Sequence, residues 1–419
     1  MVNIGSKIEA YLPPELLALV KLAGELAAAK GQKLYLVGGV VRDLFLGRPN
    51  LDLDLVVEGD APALARQLAK VRGGEVVAHP RFGTATFRQG EFCLDIVTAR
   101  SETYAEPGAL PAVKPGTIKD DLLRRDFSIN AMAVSLEPAK FGELVDPYGG
   151  KSDLDRHLVR VLHQRSFKDD PTRIWRAIRY EQRLGFRLEF DTEVLLRRDV
   201  AMMWRVSRDR LRHELERVLG EKYPEKSLYR AERVGALQQL MLSLKADNWL
   251  LQRFSQARLA SGASRPEINL YMVLLVWRLD EEELRMFAER LNFGGEAARV
   301  LKDIPGLKQA LSDLEVGELK PSGIYHLLEH HRLRAIQAAT LAVDSPLARQ
   351  RLELYLSKLR LVAPSLTGDD LTKMGVPQGR RLGWMLRSLK DARLDGTVKT
   401  RRRERELVRK WLGAGKRRG

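Results

Sequence analysis

The sequence predicts an α+β fold in which a small α/β head precedes an all-helical neck, body and tail. Short apolar runs with strand character occur within the first 150 residues, whereas beyond about residue 225 the apolar spacing is helical throughout. A chain of 419 residues is long enough for two to four domains with ample core. We therefore predict a head at 1–150, a neck at 151–225, a body at 226–365 and a tail at 366–419.

The composition is that of a globular protein that folds in water. Hydrophobic residues make up 44% of the chain and charged residues 30%, and apolar runs such as Met272–Trp277 are far too short to span a bilayer. The N-terminal segment lacks the basic start and apolar centre of a secretion signal. The single cysteine, Cys93, excludes an internal disulfide framework and a cysteine-based zinc site. We expect a cytoplasmic protein with no membrane partner, and the sequence leaves its oligomeric state open.

Positive charge is concentrated near the C-terminus. The formal net charge is +16, and from Arg380 to the end there are 15 Lys and Arg against 4 Asp and Glu. Such a surplus favours a polyanionic partner and salt-sensitive binding. Because Arg380–Lys410 also carries Trp384 and helical apolar spacing, we predict that this stretch binds a polyanion. We interpret the final Gly415–Gly419 as a solvated tail.

The stretch that organises the head is Gly-Gly-Val-Val-Arg-Asp at 38–43, followed by Asp-Leu-Asp at 52–54. The apolar run Leu34–Val37 predicts a strand before it, Val40–Leu46 predicts a short helix, and Asp54–Val57 begins a second strand. Two glycines after a strand let backbone N–H groups approach an anion closely, and the positive end of the following helix adds to this attraction. The turn is therefore typical of a phosphate-binding site.

Three charged side chains complete this prediction. Arg42 lies just inside the helix, where its guanidinium can bind the same phosphate as the backbone at Gly39. Asp52 and Asp54 are expected on one face of the second strand because alternate residues of a strand point the same way. Paired carboxylate oxygens are ligands that Mg²⁺ prefers. The stretch thus predicts a triphosphate site facing a metal site, with Asp52 and Asp54 as the metal ligands.

Further helices and strands are predicted in the head. Residues 7–30 are predicted as one amphipathic helix, and Asp60 is predicted to cap another. Apolar runs at 75–78, 85–88 and 92–98 predict strands, which gives the head about five strands in all.

The run GGVVRDLFLGRPNLDLDLV at 38–56 resembles the signature of the class II nucleotidyltransferases, the group that contains tRNA CCA-adding enzymes and bacterial poly(A) polymerases. Later stretches also resemble motifs of this family, in the same order: 120–133 its RRDFTINA element, 144–154 its DPxGGxxDL turn, 167–180 its EDxxR helix and 206–219 its last shared element. The resemblance covers the first half of the chain specifically. In the second half it is loose, and only Leu366–Gly375 is similar to the family's tail.

The resemblance implies roles for individual residues. Arg125 is expected to contact the triphosphate, and Asp126 and Asn130 are expected to hold the ribose or neighbouring backbone. Related enzymes often carry a third carboxylate on a neighbouring strand, which would make Asp95 catalytic beside the two metal-binding aspartates. The alternative is that Asp95 only positions Arg100 or a nearby backbone group. The implied cofactor is a pair of Mg²⁺ ions.

Prolines interrupt the segment from Ser101 to Gly116. Pro107, Pro111 and Pro115 argue against a continuous helix or a paired strand, so we expect a long irregular loop. In CCA-adding enzymes a flexible loop at this place is implicated in the switch from adding C to adding A, and enzymes that add only CC lack it. This segment resembles a retained loop, which disfavours a purely CC-adding enzyme.

The EDxxR-like helix is expected to read the base. Asp170 is followed by a proline, as a helix-capping Asp often is, and it lies three residues from Arg173, on the same helix face. A carboxylate accepts from the exocyclic amine of cytosine or adenine and a guanidinium donates to the adjacent ring acceptor, whereas uracil and guanine present mismatched groups. The family's Glu is replaced here by Asp169, which leaves the supporting role of that position in doubt. Arg176 and Arg179 are expected to face phosphates.

The later helices are expected to be structural. In the stretch 206–219, Ser207 is a candidate N-cap, and Arg210, Glu214 and Arg217 are expected to form an ion-pair ladder. Breaks in the helical half are predicted near 261–266, 293–296, 305–306, 321–323, 345–346 and 364–369.

These motifs predict template-independent addition of C and/or A from CTP or ATP to the 3′ end of tRNA, with release of pyrophosphate. Within the same class, the alternatives are an enzyme that adds only the terminal A to tRNA ending in CC, and a poly(A) polymerase. The stretch Arg81–Phe87 resembles the CCA-adding pattern more than the polymerase pattern. A catalytically inactive RNA-binding relative is the non-enzyme alternative, against which the intact Asp52 and Asp54 argue.

Overall fold

The computed structural model describes residues 2–106, 108, 111–262 and 264–415. The chain forms two compact units, Met1–Gln239 and Leu240–Gly419. The finer division into head, neck, body and tail stays a prediction, and both Pro107 and residues 416–419 of the predicted solvated tail lie outside the described residues. Within the described part of the chain, no helix combines the length and apolarity that crossing a membrane requires.

The first unit is built on a seven-stranded sheet. The strands of this unit are, in chain order, β1 (Lys33–Val37), β2 (Leu53–Glu58), β3 (Glu75–His79), β4 (Thr84–Gln89), β5 (Phe92–Thr98), β6 (Arg100–Thr103), β7 (Ala112–Pro115), β8 (Ala133–Ser135), β9 (Leu144–Val145), β10 (Leu158–Val159) and β11 (Arg187–Leu188). The sheet has the order β3-β4-β5-β2-β1-β8-β9, in which only β2 and β5 are parallel neighbours. The five predicted strands are confirmed. Strands β8 and β9 were not predicted because three and two residues are too few to show a pattern.

Helices cover this sheet and continue beyond it to the end of the unit. They are α1 (Gly5–Tyr11), α2 (Pro14–Ala28), α3 (Gly39–Leu46), α4 (Ala61–Arg72), α5 (Ile118–Leu123), α6 (Gly150–Asp155), α7 (Ser166–Asp169), α8 (Thr172–Leu184), α9 (Phe190–Asp199), α10 (Arg208–Leu219) and α11 (Pro224–Arg233). The predicted cap of α4 is confirmed, because the Asp60 side chain accepts the Ala63 backbone N–H at 2.9 Å. Ser207 precedes α10 as predicted, but its side chain makes no capping hydrogen bond.

The prediction of one N-terminal helix over 7–30 is wrong. Leu12 has φ −81° and ψ 140°, an extended conformation that ends α1, and α2 begins at Pro14. A residue that precedes proline is sterically disfavoured in the helical region, so Leu12 and Pro13 separate two helices that share an apolar face. Both helices bury their apolar residues, among them Ile8, Leu16 and Leu19.

The prediction that prolines exclude paired strands between 101 and 116 is also wrong. Strands β6 and β7 form an antiparallel ribbon in which Arg100 pairs with Pro115 and Thr103 with Ala112. Pro115 is tolerated because it lies at the end of a two-stranded ribbon, where its missing N–H removes no interior ladder hydrogen bond.

The second unit is helical where it is described. Its helices are α12 (Asn248–Ala260), α13 (Ile268–Val276), α14 (Glu281–Arg290), α15 (Gly295–Asp313), α16 (Pro321–Leu328), α17 (Leu333–Ala342), α18 (Pro346–Ser357), α19 (Gly368–Lys373), α20 (Arg380–Leu394) and α21 (Arg401–Gly415). The predicted break at 305–306 is wrong, because α15 continues through Pro305. Burial of Leu301, Ile304 and Leu307 on one face offsets the single hydrogen bond that proline removes. The other predicted breaks fall at helix ends.

A buried carboxylate anchors the last helix. Glu404 in α21 has no exposed surface, and its oxygens accept the backbone N–H groups of Ser365 at 3.0 Å and Leu366 at 2.8 Å. Arg393 in α20 pairs with the same carboxylate. The anchor thereby fixes α20 and α21 around an apolar core formed by Leu366, Leu371, Val376, Met385, Leu389 and Val408.

Replacing this carboxylate should destabilise the second unit. We expect Glu404→Ala to lower the free energy of unfolding by about 3 kcal/mol, because it leaves two buried N–H groups and a guanidinium without their acceptor. Urea titration of the purified chain measures the change. Glu406→Ala is the matched control, since Glu406 is half-exposed and forms its ion pair with Arg402 one turn away, so its removal should cost less than about 0.5 kcal/mol. Equal losses in the two variants would contradict the anchoring role.

Candidate active site

The Gly-Gly turn places backbone N–H groups close to charged side chains. Strand β1 ends at Val37, Gly38 has φ 79°, and α3 begins at Gly39. A Cβ atom at Gly38 would lie 2.7 Å from Arg125 Nη1 and 3.7 Å from Asp54 Oδ2. The positive φ favours glycine at this position, and a Cβ there would displace the terminal nitrogen of Arg125. The turn, Arg125 and Asp54 therefore form one compact group.

The sheet brings the carboxylates together by register. Asp54 lies on β2 directly opposite Asp95 on the parallel strand β5, Asp52 precedes β2, and both Asp52 and Asp54 are exposed. Asp95 Oδ1 accepts a hydrogen bond from Thr86 Oγ1 at 2.6 Å, so its described partner is Thr86 rather than Arg100. Loss of part of its hydration raises the pKa of Asp54, and the charges of Asp52 and Asp95 raise it further, while Arg125 lowers it in part. This concentration of negative charge attracts a cation.

The residues present fit a divalent cation with few protein ligands. Among the described residues, no group of three or more His, Cys, Asp or Glu side chains is arranged to hold a metal ion. Mg²⁺ does not require such a cage, because it is commonly bound by one or two carboxylates together with water and substrate phosphates. Asp54, whose pKa is raised by loss of hydration and by neighbouring carboxylates, is a side chain whose ionised form a bound cation would stabilise.

A cavity of about 410 Å³ adjoins this group. Most of the predicted site residues line it: Gly39, Asp54, Arg125, Asp126, Asn130, Asp170, Arg173 and Arg176. Asp121, which is fully buried, orients Arg125 by accepting from its Nη2 at 3.1 Å. The structure thus brings together residues that lie as far apart in the chain as 39 and 176.

Two arginines predicted to bind phosphate do not line this cavity and are paired with carboxylates of the protein. Arg42 is 3% exposed, and its guanidinium donates twice to Asp43 at 2.9 Å and once to Asn130 Oδ1 at 2.7 Å. Arg179 is buried beside Glu214, at 3.8 Å, and Glu221, at 3.5 Å. Neither residue is among those that line the described cavity. Both guanidiniums are buried against carboxylates, and their contact with phosphate stays a prediction.

Asp126 connects its own motif to helix α8. Its Oδ2 accepts from Arg176 Nε at 2.8 Å, and its Oδ1 accepts from Asn130 Nδ2 at 3.0 Å and from the Phe127 backbone N–H at 2.9 Å. Burial alone would raise the pKa of Asp126, but Arg176 and Asn130 lower it to about 2. Of the two predicted partners, ribose and neighbouring backbone, the structure therefore contains the backbone contact.

The predicted base-reading pair lies at the start of α8. Asp170 separates α7 from α8, and its carboxylate accepts the Thr172 backbone N–H at 3.1 Å, which is a capping contact close to the predicted one. Arg173 is 4% exposed and donates to Ser166 Oγ and to the Arg124 backbone carbonyl, both at 2.7 Å. Each terminal nitrogen of a guanidinium carries two N–H groups, so Arg173 retains donors for a ligand.

Several residues of the cavity were not predicted. Tyr104 and Glu102 line it, the Tyr104 hydroxyl donates to Glu102 at 3.1 Å, and burial together with this carboxylate raises the pKa of Tyr104 to about 12. Both lie in the segment predicted to be irregular.

The predicted ion-pair ladder along α10 is only partly correct. Glu214 pairs with Arg217 at 2.5 Å, but Arg210 donates to Asp170 at 2.7 Å.

The sheet, the Gly-Gly turn and the paired carboxylates define a nucleotidyltransferase head. The family described as "Poly A polymerase head domain" matches residues 34–160, and "Probable RNA and SrmB- binding site of polymerase A" matches residues 185–248. An A-adding tRNA nucleotidyltransferase of Halalkalibacterium halodurans is 35% identical over 94% of this chain and 92% of the relative. One from Aquifex aeolicus is 38% identical over 85% of this chain, which spans only 44% of that relative. The Thermotoga maritima CCA-adding enzyme complexed with tRNA has a TM-score of 0.77 and 32% identity, over 98% of this chain and 99% of that one.

This chain belongs to the class II tRNA nucleotidyltransferases. The predicted family and fold class are therefore confirmed. Membership implies use of a divalent metal ion, in agreement with the carboxylates of the site.

The ion pair of Asp126 with Arg176 should make the free energy of unfolding depend on pH. A folded-state pKa of about 2 lies below the ordinary value, so the stabilisation is present above about pH 4 and is lost as the pH falls through about 2. Asp126→Asn should lower the free energy of unfolding at pH 7 by about 3 kcal/mol. The difference in free energy of unfolding between the variant and the parent chain should become smaller below about pH 4. Urea unfolding at a series of pH values measures this. The exposed Asp155→Asn serves as control, and a gap that does not depend on pH would contradict the assignment.

Proposed function

We propose that this chain transfers AMP from ATP to the 3′-hydroxyl of a tRNA that ends in CC, with release of pyrophosphate. The proposal rests on the observation that the Gly-Gly turn, Asp54, Arg125 and the pair Asp170 and Arg173 line the same cavity. Phosphate-binding, metal-binding and base-reading groups thus face one substrate. The two relatives named A-adding, at 35% and 38% identity, support A as the nucleotide.

The triphosphate is bound by backbone and arginine donors. The N–H groups at the start of α3 and the guanidinium of Arg125 converge on the turn at Gly38. Asp121 holds Arg125 through one terminal nitrogen and leaves the other directed to the turn. Arg176, paired with Asp126, adds positive charge to the same cavity. The arrangement holds the α-phosphorus beside Asp54.

Asp52 and Asp54 are the residues that would hold two Mg²⁺ ions, and Asp95 on the adjacent strand adds negative charge. When bound, such ions lower the pKa of the attacking 3′-hydroxyl and neutralise the pyrophosphate leaving group. The protein contributes a carboxylate whose charge is not fully compensated and a strand pair that fixes its position. A cytoplasmic location, predicted from the sequence, belongs to the same proposal.

The base is selected by hydrogen bonds at the start of α8. The Asp170 carboxylate accepts from the 6-amino group of adenine, and Arg173 donates to the neighbouring ring nitrogen. Guanine presents a carbonyl and an N–H at these places, which leaves buried groups of the protein unpaired. Protein side chains therefore take the place of a template strand.

Addition of the complete CCA sequence is the second candidate. Cytosine presents the same amine and acceptor pattern as adenine to Asp170 and Arg173, so the pair can accept both bases. The similarity to the Thermotoga maritima CCA-adding enzyme over 98% of this chain favours it.

One incorporation assay separates the candidates. Purified chain is given a tRNA that lacks CCA or one that ends in CC, with each nucleotide offered separately, and the products are sized on a gel. We expect addition of one A to the tRNA ending in CC and no product from CTP on the shorter tRNA. Addition of CCA to the shorter tRNA would establish the second candidate, and long A tails would indicate a poly(A) polymerase. The absence of any product with both tRNAs would overturn the proposal in favour of an inactive RNA-binding relative.

Asp54 should be required for transfer and unfavourable for stability. Asp54→Asn is expected to lower incorporation about a thousandfold or more, because a metal ligand is lost, while ATP binding stays detectable. The raised pKa means that the folded chain disfavours the ionised carboxylate, so the variant should melt at a higher temperature than the parent chain in EDTA. The exposed Asp155→Asn should change neither quantity. Retained incorporation by Asp54→Asn would refute the metal assignment.

A further inference from the structure

The carboxylate of Asp170 is held through one of its two oxygens. Its Oδ1 accepts three hydrogen bonds, from the Thr172 backbone N–H at 3.1 Å, from Thr172 Oγ1 at 2.6 Å and from Arg210 Nη2 at 2.7 Å. No hydrogen bond from a described residue reaches Oδ2. Because Asp170 lines the cavity, Oδ2 is the acceptor that a bound base can reach.

Arg210 reaches Asp170 from a different helix. It lies in the first turn of α10, forty residues further along the chain, and its Nη2 also lies 3.3 Å from Thr172 Oγ1. The same helix carries Glu214, which lies 3.8 Å from Arg179 on α8. Helix α10 is therefore fixed against α8 one turn beyond the point where Arg210 meets Asp170.

The backbone alone does not fix the Asp170 side chain. Asp170 has φ −136° and ψ 93°, an extended conformation between two helices, so neither helix restricts its rotamers as it would inside a helical turn. A carboxylate is a symmetric acceptor that can present either oxygen and can accept from a ring N–H as readily as from an amine. Selection of the amine requires that the carboxylate be held in one orientation.

We propose that Arg210 is a positioning residue for base selection, which saturates Oδ1 of Asp170 and so presents only Oδ2 to the exocyclic amine of the nucleotide. This inference rests on the base-reading role proposed above for Asp170. Without Arg210, Oδ1 keeps only its two hydrogen bonds from Thr172, so the carboxylate is held less firmly in its direction towards the amine. Binding of the triphosphate and the attack of the hydroxyl do not involve Arg210.

A nucleotide that lacks the amine isolates this contact. Purine riboside triphosphate is ATP without its 6-amino group, and kcat/KM is measured for both nucleotides on a tRNA ending in CC. The parent chain should prefer ATP. In Arg210→Gln the preference should fall about tenfold, because kcat/KM for ATP falls while that for the analogue stays the same. Incorporation of GTP relative to ATP should rise in the same variant. Arg208→Gln, which removes the same charge from an exposed position in the same turn of α10, should keep the preference of the parent chain.

The outcomes distinguish a role of Arg210 in base selection from a general structural role. Equal losses for ATP and the analogue in Arg210→Gln would show a general structural effect and overturn the inference, as would an unchanged preference for ATP. A parent chain that does not distinguish ATP from the analogue would overturn the base-reading role of Asp170 and, with it, the role of Arg210. If Arg210→Gln does not fold, Arg210→Lys keeps the charge but not the planar guanidinium. Its preference for ATP should then fall about threefold, and an unchanged preference would refute the proposal.

Discussion

The arrangement of the site depends on the ion pair between the buried Asp126 and the partly exposed Arg176. The two residues are fifty positions apart, Asp126 shortly after α5 and Arg176 within α8. The Asp126 side chain is only 6% exposed, so its carboxylate needs the guanidinium to remain ionised at low energetic cost. The pair fixes α8 next to the segment that carries Arg125. Asp170 and Arg173 consequently line the same cavity as the Gly-Gly turn.

The arginines around this pair differ in how many donors remain for a ligand. Arg42 uses three of its five N–H groups on Asp43 and Asn130, so it holds Asn130 in place. Arg125 gives one terminal nitrogen to Asp121 and directs the other to Gly38. Arg42 is thereby tied into the fold, whereas Arg125 keeps a terminal nitrogen beside the turn.

Features that follow from local chemistry could be predicted from the sequence, and features that depend on distant partners could not. The strand, turn and helix around Gly38 were predicted because glycine spacing and apolar runs act within a few residues. The carboxylate of Asp146 likewise acts within a few residues, because it accepts the Gly150 backbone N–H of its own turn at 2.7 Å. By contrast, spacing along α10 suggested that Arg210 would pair with Glu214, whereas its partner lies forty residues away. Arg42 and Asn130 are 88 residues apart, and no local pattern joins them.

Two aspartates of one cavity show how the same residue type acquires opposite roles. Asp126 has both oxygens occupied by donors and a pKa lowered to about 2, so its charge is already compensated and it organises its neighbours. Asp54 keeps an exposed surface, and its pKa is raised by loss of part of its hydration and by the charges of Asp52 and Asp95. The ionised carboxylate of Asp54 beside the phosphate-binding turn therefore lowers the stability of the folded chain. A bound cation would compensate this charge. We infer that Asp54, rather than the well-paired Asp126, lies at the reaction centre.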